Sequence, residues 1–147
     1  MKLLVINGPN MNLLGLREPG IYGKETLADL EDFLREVGKT EGVELAFFQS
    51  NHEGAIVDAI QAAYGKMDGI VINPAAYTHT SVAILDALKA VALPAVEVHL
   101  SDVNERETFR HISYPAMACI AQIKGKGFAG YEEAILLLKE YVQGHRA

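Results

Sequence analysis

The amino-acid sequence predicts an α/β fold, in which a single domain is built on an open, doubly wound sheet of five parallel strands. The first observation is that short apolar runs alternate with segments whose apolar residues recur at helical spacing. This alternation continues along the chain, which favours parallel pairing with right-handed crossovers. The second is the length of 147 residues, which fits one domain and is too short for an eight-stranded barrel of about 250 residues. Five strands in this length predict a flavodoxin-like sheet.

Five apolar runs have the length and composition of buried strands. The first, LLVI, is continuous, as expected for a strand that is covered on both faces. The third is closed by Pro74, which cannot donate a hydrogen bond to a continuing strand. The predicted strands span residues 3–6, 43–49, 68–73, 94–100 and 117–125.

Four segments show the apolar spacing of amphipathic helices. Thr26 followed by Asp29 predicts the N-cap of the first helix, and Gly42 predicts its end. Gly65 ends the second. The apolar faces of the predicted helices span residues 27–37, 56–64, 82–91 and 131–141.

The composition excludes several classes of protein. Half of the residues are hydrophobic and 22% are charged, which argues against disorder. The formal net charge of -6 offers no electrostatic footprint for nucleic acid or an anionic membrane, and no apolar run reaches the roughly 20 residues of a membrane-spanning helix. Cys119 is the single cysteine, and its apolar surroundings predict a packing role. No secretory signal is visible, so we expect a cytoplasmic location.

Polar residues cluster where the predicted strands end, which is where ligands bind in open parallel sheets. Histidines occur at three of these exits, as His52, His79 and His99. Parallel strands bring their exits to one edge, so a shared site is favoured over three separate surface roles. The exits are NGPN (7–10), QSNHEG (49–54), NPAAYTHTS (73–81) and EVHLSD (97–102).

A metal centre and a nucleotide site are both disfavoured. His79 and His99 lie on separate loops without an HExxH motif, and Glu97 is better placed to orient the His99 imidazole than to share a metal with it. We therefore expect no metal and no cofactor. GKGFAG (125–130) matches GxGxxG, but it follows the last strand, so we interpret its glycines as a turn into the final helix. Asn73 stands where a response regulator would need an acceptor aspartate.

The remaining Asn, His, Arg, Tyr and Ser side chains suit a small polyhydroxylated acid, because amides and hydroxyls pair well with hydroxyl groups. Ser101 can open a short helix over SDVNERETF, whose N-terminus would favour a carboxylate. Arg106 and Arg110 would share one face of that helix. The alternative for this pair is a solvated helix face.

The first strand is followed by a long loop, NGPNMNLLGLREPGIYG (7–23). A phenol with a pKa of about 10 is a poor base, but a guanidinium beside it stabilises the phenolate. Arg17 and Tyr22 therefore suggest a tyrosinate base, and the glycines around them suggest a lid over residues 13–23 that excludes water. A tyrosinate on a lid and a histidine acid on the sheet edge fit a β-elimination or an enolisation.

Four motifs, NGPNMNLLGLREPGIYG, NPAAYTHTS, VEVHLSD and RETFRHIS, together resemble type II 3-dehydroquinate dehydratase. This family consists of small cofactor-free lyases of the shikimate pathway, which serves aromatic amino acid biosynthesis, and of the quinate pathway, and the sequence does not distinguish the two. The similarity runs from Met1 to about Tyr141, and four motifs in register are far more specific than a lone glycine loop. The resemblance implies a flavodoxin-like fold and loss of water from 3-dehydroquinate through an enolate, with no Schiff base and no metal. It also implies a dodecamer built from four trimers.

Matched position by position, the resemblance implies a role for each site residue. The implied catalytic residues are Tyr22 as the base at C2, Arg17 as the cation that favours its phenolate, Asn10 as the holder of a water at the enolate oxygen, His99 as the acid at the C1 hydroxyl, and Glu97 as its orienting carboxylate. The implied substrate contacts are Asn73, His79, the backbone at Leu100 and Ser101, Arg110, and Asp86 from a neighbouring subunit.

Some positions depart from the usual pattern of the family. Ala75 stands where glycine is usual, Asn104 where histidine is common, and the region of the fifth strand is more polar. None is a catalytic position, so these departures bear on packing and fine specificity.

Two other classes of protein also fit this fold. One is a module that binds a small sugar acid or flavin without chemistry, and the other is an oligomeric structural protein. Neither needs the pair of Arg17 and Tyr22.

Overall fold

The computed structural model describes residues 1–16, 24–102 and 105–145. Strands and helices alternate, as predicted, and all five strands and four helices of the prediction are present. Their bounds are β1 Lys2–Asn7, α1 Leu27–Glu41, β2 Glu44–Gln49, α2 Glu53–Ala63, β3 Gly69–Asn73, α3 Val82–Val91, β4 Ala95–His99, β5 Ala121–Lys124 and α4 Phe128–His145. Short 3-10 helices occupy Met11–Leu13, Ala75–His79, Thr108–His111 and Pro115–Ala118.

The five strands form one parallel sheet in the order β2-β1-β3-β4-β5. This is the flavodoxin-like order, so the predicted fold class is confirmed. Asn7 at the end of β1 pairs with Gln49 on β2 and with Asn73 on β3. The exits of these three strands therefore lie level at one edge of the sheet, and His99 ends β4 at the same edge.

The core consists of two apolar layers, one on each face of the sheet. Helices α1 and α4 cover one face, and α2 and α3 cover the other. Alternate residues of β1 enter opposite layers: Leu3 lies in the first and Leu4 in the second. This two-sided burial explains why the strand sequences are continuously apolar rather than alternating.

The predicted capping signals form at both ends of α1. The Asp29 N–H donates to Thr26 Oγ1 at 3.2 Å, and the Thr26 N–H donates to Asp29 Oδ2 at 2.9 Å. Gly42 ends the helix with a φ of 68°, a left-handed conformation that glycine adopts without steric cost. The first helix therefore begins and ends at the positions that the sequence predicts.

Three parts of the prediction are wrong in detail. The fifth strand is shorter than residues 117–125, because a 3-10 turn that starts at Pro115 takes up Met117. The last helix begins at Phe128, before the predicted start. No α-helix starts at Ser101 in the described part of its segment, where Thr108–His111 forms a 3-10 helix. A short helix needs an apolar face to pack against a core, and Phe109 is exposed instead.

The glycines of GKGFAG act as a turn, as the sequence predicts. Gly125 and Gly127 have φ values of 78° and 56° and immediately precede α4. In the described ranges, no helix is both long enough and apolar enough to cross a membrane.

Candidate active site

A pocket opens at the edge of the sheet where β1, β3 and β4 end. This is the position at which an open parallel sheet binds its ligands. Strand exits and the segment after β4 supply its lining, which comprises Met11, Asn73, Ala75, Ala76, His79, His99, Leu100, Ser101, Arg106 and Arg110. The structure thus brings together one predicted catalytic residue, His99, and five of the six predicted substrate contacts.

His99 forms a buried pair with Glu97 on β4. The two residues are separated by one position, so their side chains point to the same face of the strand. Glu97 Oε2 accepts a hydrogen bond from His99 Nε2 at 3.0 Å, and the side chains are 0% and 6% exposed, respectively. Because a carboxylate can only accept, Nε2 carries the proton. Nδ1 is then the ring nitrogen that remains for the pocket.

Two further donors complete the surroundings of the Glu97 carboxylate. Ser113 Oγ donates to Oε1 at 2.6 Å, and Gln122 Nε2 donates to Oε2 at 2.5 Å. Burial alone would raise the pKa of Glu97, but the hydrogen bonds from His99, Ser113 and Gln122 outweigh it and lower that pKa. The carboxylate therefore stays ionised and can stabilise a protonated imidazole.

His79 presents a hydrogen-bond acceptor to the pocket. Its Nδ1 donates to the Ile112 carbonyl at 2.8 Å, so Nε2 carries the lone pair when the ring is neutral. Burial is the largest effect on the pKa of His79 and lowers it, and positive charge at His99 and Arg110 lowers it further. The hydrogen bond to the Ile112 carbonyl and the negative charge of Glu97 act in the opposite direction but do not outweigh these effects. A neutral His79 can accept a hydrogen bond from a substrate hydroxyl.

The amide of Asn73 is held on both of its polar atoms. Its Oδ1 accepts from the Ala75 N–H at 3.0 Å, and its Nδ2 donates to the Tyr131 hydroxyl at 2.9 Å. Ala75 adopts a φ of 53°, the left-handed conformation that explains why glycine is usual at this position in the family that the sequence resembles.

Arg106 and Arg110 supply the positive side of the pocket. Arg110 Nε donates to Glu107 Oε2 at 2.6 Å, and its guanidinium carbon lies 5.1 Å from the centroid of the Phe109 ring. Both arginines line the pocket, but the segment between them is not the α-helix on which the sequence predicts a shared face. Guanidinium groups bind carboxylates well in such a setting.

Asn10 lies at the exit of β1 in a left-handed conformation with a φ of 70°. Its backbone N–H donates to Asn51 Oδ1 at 2.9 Å, and Gln49 Nε2 donates to the same oxygen at 3.3 Å. Asn10 is exposed and precedes Met11, which lines the pocket. The network therefore fixes the backbone of Asn10 at the rim.

Other predicted site residues do not line this pocket. Arg17 and Tyr22 lie outside the described residues. The structure describes residues 13–16 of the predicted lid over 13–23. Asp86 is exposed on α3. His52 is exposed just before α2, where its N–H donates to Ser50 Oγ, and it does not line the pocket that His79 and His99 share.

Three residues that contact the site could not be singled out in the sequence: Ser113, Gln122 and Tyr131. Gln122 reaches Glu97 because the two residues are cross-strand partners in β5 and β4, and this register is not visible in a sequence. Tyr131 offered one signal, a polar-tipped aromatic residue on the buried face of a helix.

Cys119 packs against the second core layer, as predicted. Its Sγ donates to the Pro115 carbonyl at 3.3 Å, and burial raises its pKa to about 12. A thiol in this state is not a nucleophile near neutral pH. Among the described residues, no three His, Cys, Asp or Glu side chains converge in a way that could hold a metal ion.

Comparison with known proteins gives one family. The family model described as dehydroquinase class II matches residues 1–139. The 3-dehydroquinate dehydratase of Clostridium acetobutylicum is 55% identical over 139 residues, which cover 95% of this chain and 96% of that protein. The catabolic 3-dehydroquinase of Penicillium rubens is 57% identical over 133 residues, 90% of this chain and 86% of that one.

The solved structures agree. The crystal structure of the type II dehydroquinase from Butyrivibrio crossotus superposes with a TM-score of 0.93 at 55% identity, covering 95% of this chain and 97% of that chain. The type II dehydroquinase from Propionibacterium acnes gives 0.88 at 39% identity, with 97% and 96% covered. The chain therefore belongs to the class II dehydroquinase family, the type II 3-dehydroquinate dehydratases.

Proposed function

We propose that this chain removes water from 3-dehydroquinate by an anti β-elimination through an enolate, giving 3-dehydroshikimate. A proton leaves C2, the hydroxyl leaves C1, and one molecule of water is released for each molecule of product. The observation that carries this proposal is the buried pair of Glu97 and His99 beside a pocket that offers cationic, donor and acceptor groups. This pair suits protonation of a leaving group.

His99 is the proposed acid, which delivers a proton from Nδ1 to the departing C1 hydroxyl. Glu97 supports this role, because its ionised carboxylate stabilises the imidazolium and fixes the ring through Nε2. Proton transfer by a positioned side chain contributes about 10²- to 10⁴-fold to a rate.

Tyr22 is the proposed base, which takes the proton from C2 as a tyrosinate. Arg17, five positions earlier in the same loop, supplies the positive charge that stabilises the phenolate. No Schiff base is needed, since a water held by Asn10 stabilises the enolate oxygen instead. Closure of the segment 13–23 over the substrate would exclude water from this step.

The proposed substrate contacts match the groups of a polyhydroxylated keto acid. Arg110, Ser101 and the backbone at Leu100 can bind polar oxygens at one end of the pocket. The Asn73 amide can donate an N–H to a carbonyl or hydroxyl oxygen of the substrate. His79 Nε2 can accept the proton of a substrate hydroxyl.

A direct assay tests the reaction. Incubation of the protein with 3-dehydroquinate should produce the enone chromophore of 3-dehydroshikimate in the ultraviolet, and a folded protein that gives no absorbance rise would overturn the proposal. Borohydride added during turnover should not inactivate the protein, because no imine forms. Inactivation that depends on substrate would instead indicate a lysine Schiff base.

The base is tested by Tyr22→Phe, which removes only the phenolic oxygen. Turnover should be abolished while binding of the product stays nearly unchanged, because the lost interaction belongs to the transition state. Arg17→Ala should be similarly severe. Near-normal kcat in Tyr22→Phe would show that another group is the base.

We also propose a cytoplasmic dodecamer of four trimers, in which Asp86 reaches the pocket of a neighbouring subunit. Asp86 supports this role because it is exposed on α3 and does not line the pocket of its own chain. Light scattering measures the assembly directly.

The role of Asp86 is tested by mixing two variants. Asp86→Ala and His99→Asn are each expected to be inactive. Refolding them together should restore activity at sites where an intact Asp86 of one subunit meets an intact His99 of another. If activity does not return in the mixture, Asp86 does not act between subunits.

A further inference from the structure

Tyr131 is the largest fully buried side chain among the described residues, and its hydroxyl lies between two amides. Asn7 and Asn73 are the last residues of β1 and β3 and are paired in the sheet. Tyr131 Oη donates to Asn7 Oδ1 at 2.6 Å and accepts from Asn73 Nδ2 at 2.9 Å. The hydroxyl and the two amides therefore form a polar unit inside an otherwise apolar layer. A phenylalanine would fill nearly the same volume, so packing alone does not require the hydroxyl.

The direction of these hydrogen bonds is fixed. Burial raises the pKa of Tyr131 above its ordinary value of 10.0, so the phenol keeps its proton. The Ala75 N–H can only donate, so Asn73 Oδ1 faces it and Asn73 Nδ2 faces Tyr131. The phenolic oxygen therefore accepts from Asn73, and its proton goes to Asn7 Oδ1.

The Asn73 amide cannot turn over in this setting. In the observed orientation Nδ2 faces the Tyr131 oxygen and Oδ1 faces the Ala75 N–H. A flipped amide would place its oxygen against the Tyr131 oxygen and its NH₂ against the Ala75 N–H. The contact with Ala75 would then oppose two donors, and the contact with Tyr131 would need the phenolic proton that is donated to Asn7 Oδ1. Both hydrogen bonds of the observed arrangement would therefore be lost.

One N–H of Asn73 remains for the pocket. The nearest acceptor is Met11 Sδ at 3.7 Å, and a thioether accepts only weakly. Met11 and Asn73 both line the pocket, so a substrate oxygen can take this N–H with little loss.

We propose that Tyr131 is a positioning residue of this site, which acts through Asn73 and makes it present an N–H donor, and not a carbonyl acceptor, to a substrate oxygen. This inference rests on the proposed function, because it takes Asn73 as a substrate contact. It assigns a specificity role to a residue on α4, which itself does not line the pocket.

The test is the Tyr131→Phe variant with 3-dehydroquinate. Its KM should rise about three- to tenfold, since one hydrogen bond contributes about 0.5 to 1.5 kcal/mol, while kcat should change less because Asn73 binds the ground state and the transition state alike. Ile135→Val is the matched control, because Ile135 is buried in the same helix and layer and the change removes one buried methylene group without touching a polar atom. An equal rise of KM in Ile135→Val would overturn the proposal.

A double-mutant cycle separates action through Asn73 from a structural effect. In the Asn73→Ala background, Tyr131→Phe should raise KM no further, whereas independent effects would multiply. A multiplied effect would overturn the proposal.

A measurement on the unaltered protein covers the case in which Tyr131→Phe does not fold. One Asn73 side-chain N–H should exchange slowly with solvent, and the other should shift when product binds. Rapid exchange of both protons would contradict the proposed anchoring by Tyr131. If the unaltered protein does not dehydrate 3-dehydroquinate, the proposed function fails, while the exchange result still tests the anchoring on its own.

Discussion

Glu97 Oε2 accepts a hydrogen bond from His99 Nε2 at 3.0 Å within a layer that is closed to solvent. Ser113 and Gln122 donate to the same carboxylate, so its charge is matched by three donors. Such a carboxylate holds the imidazole in one orientation and one tautomer. The pair therefore acts as a unit, and a change in either partner or in the two outer donors alters the chemistry of His99.

Replacement of Glu97 by glutamine should lower kcat by at least about 100-fold, with little change in KM. The amide keeps the shape of the carboxylate but turns one acceptor into a donor and removes the charge that stabilises the imidazolium. Steady-state kinetics with 3-dehydroquinate measure the effect. Glu140→Gln, an exposed change on α4, serves as the control and should leave kcat unaltered. Near-normal kcat in Glu97→Gln would remove Glu97 from the mechanism.

The stability of the fold should fall in acid partly because of Glu97. The pKa of Glu97 in the folded protein lies below the ordinary value of 4.5. Its ionised form therefore stabilises the fold fully above about pH 4.5, and this stabilisation is lost as the pH falls through the pKa of the folded state. Urea unfolding at fixed protein concentration, at neutral pH and near pH 4, measures the loss. Glu97→Gln should be less stable at neutral pH but should lose less on acidification. An equal loss in both proteins would contradict this assignment.

Ser113 should position Glu97 without contacting the substrate. Its Oγ donates to Glu97 Oε1 at 2.6 Å and accepts from the Ala116 N–H at 3.1 Å. Ser113→Ala removes one of the donors that keep the carboxylate ionised, so kcat should fall about tenfold, as expected for about 1.4 kcal/mol. The acidic limb of the pH profile of kcat should also shift.

Two comparisons test that interpretation. Ser113→Thr keeps the hydroxyl and should restore most of kcat. Ser50→Ala removes a hydroxyl that accepts from the His52 N–H at the end of β2, outside the pocket lining, and should change neither kcat nor the profile. A lower kcat in Ser113→Ala with an unaltered pH profile would indicate a purely structural role.

The sequence predicts the sheet and most of the pocket because both depend on patterns that a sequence displays. Apolar runs mark buried strands, and the rule for parallel sheets places His79, His99 and Asn73 at one edge. The register between neighbouring strands is a tertiary property, so the contact of Gln122 with Glu97 could not be predicted. The failed helix after Ser101 has a related cause, since spacing alone does not show whether Phe109 finds a core to pack against.

Gly8 should not tolerate a side chain, because the exits of β1 and β3 touch there. Its N–H donates to the Asn73 carbonyl at 2.8 Å, and a Cβ added at Gly8 would lie 2.5 Å from the Pro74 carbonyl oxygen. Backbone atoms cannot move aside as a flexible side chain can, so Gly8→Ala should destabilise the fold by about 1 to 3 kcal/mol and lower kcat/KM by displacing Asn73.

Gly54→Ala is the matched control for this prediction. A Cβ at Gly54 on α2 meets nothing within 4 Å, so this change should stabilise the protein by about 0.5 to 1 kcal/mol. Urea unfolding of the two variants measures the difference. Equal stability of Gly8→Ala and the unaltered protein would show that the two strand exits can separate at no cost.

Ala75 and Ala92 each hold a left-handed backbone with a φ of 53°, which costs about 1 to 2 kcal/mol for a residue with a Cβ. Glycine removes this strain but adds about 0.5 to 1 kcal/mol of unfolded-state entropy. Ala75→Gly and Ala92→Gly should therefore each stabilise the protein by about 0.5 to 1 kcal/mol. Ala90→Gly, an exposed change in the last turn of α3, should instead destabilise it by up to about 1 kcal/mol. Thermal and urea unfolding measure all three changes.

The KM of the Ala75 variant gives the second part of this prediction. The Ala75 N–H that holds Asn73 Oδ1 is kept in Ala75→Gly, so KM for 3-dehydroquinate should stay within about twofold of its original value, less than the smallest effect of one hydrogen bond. Ala92 ends α3 and does not line the pocket, so its variant should show no change in KM. If Ala75→Gly lowered stability while Ala92→Gly raised it, contacts of the Ala75 methyl group would outweigh the backbone strain at the pocket.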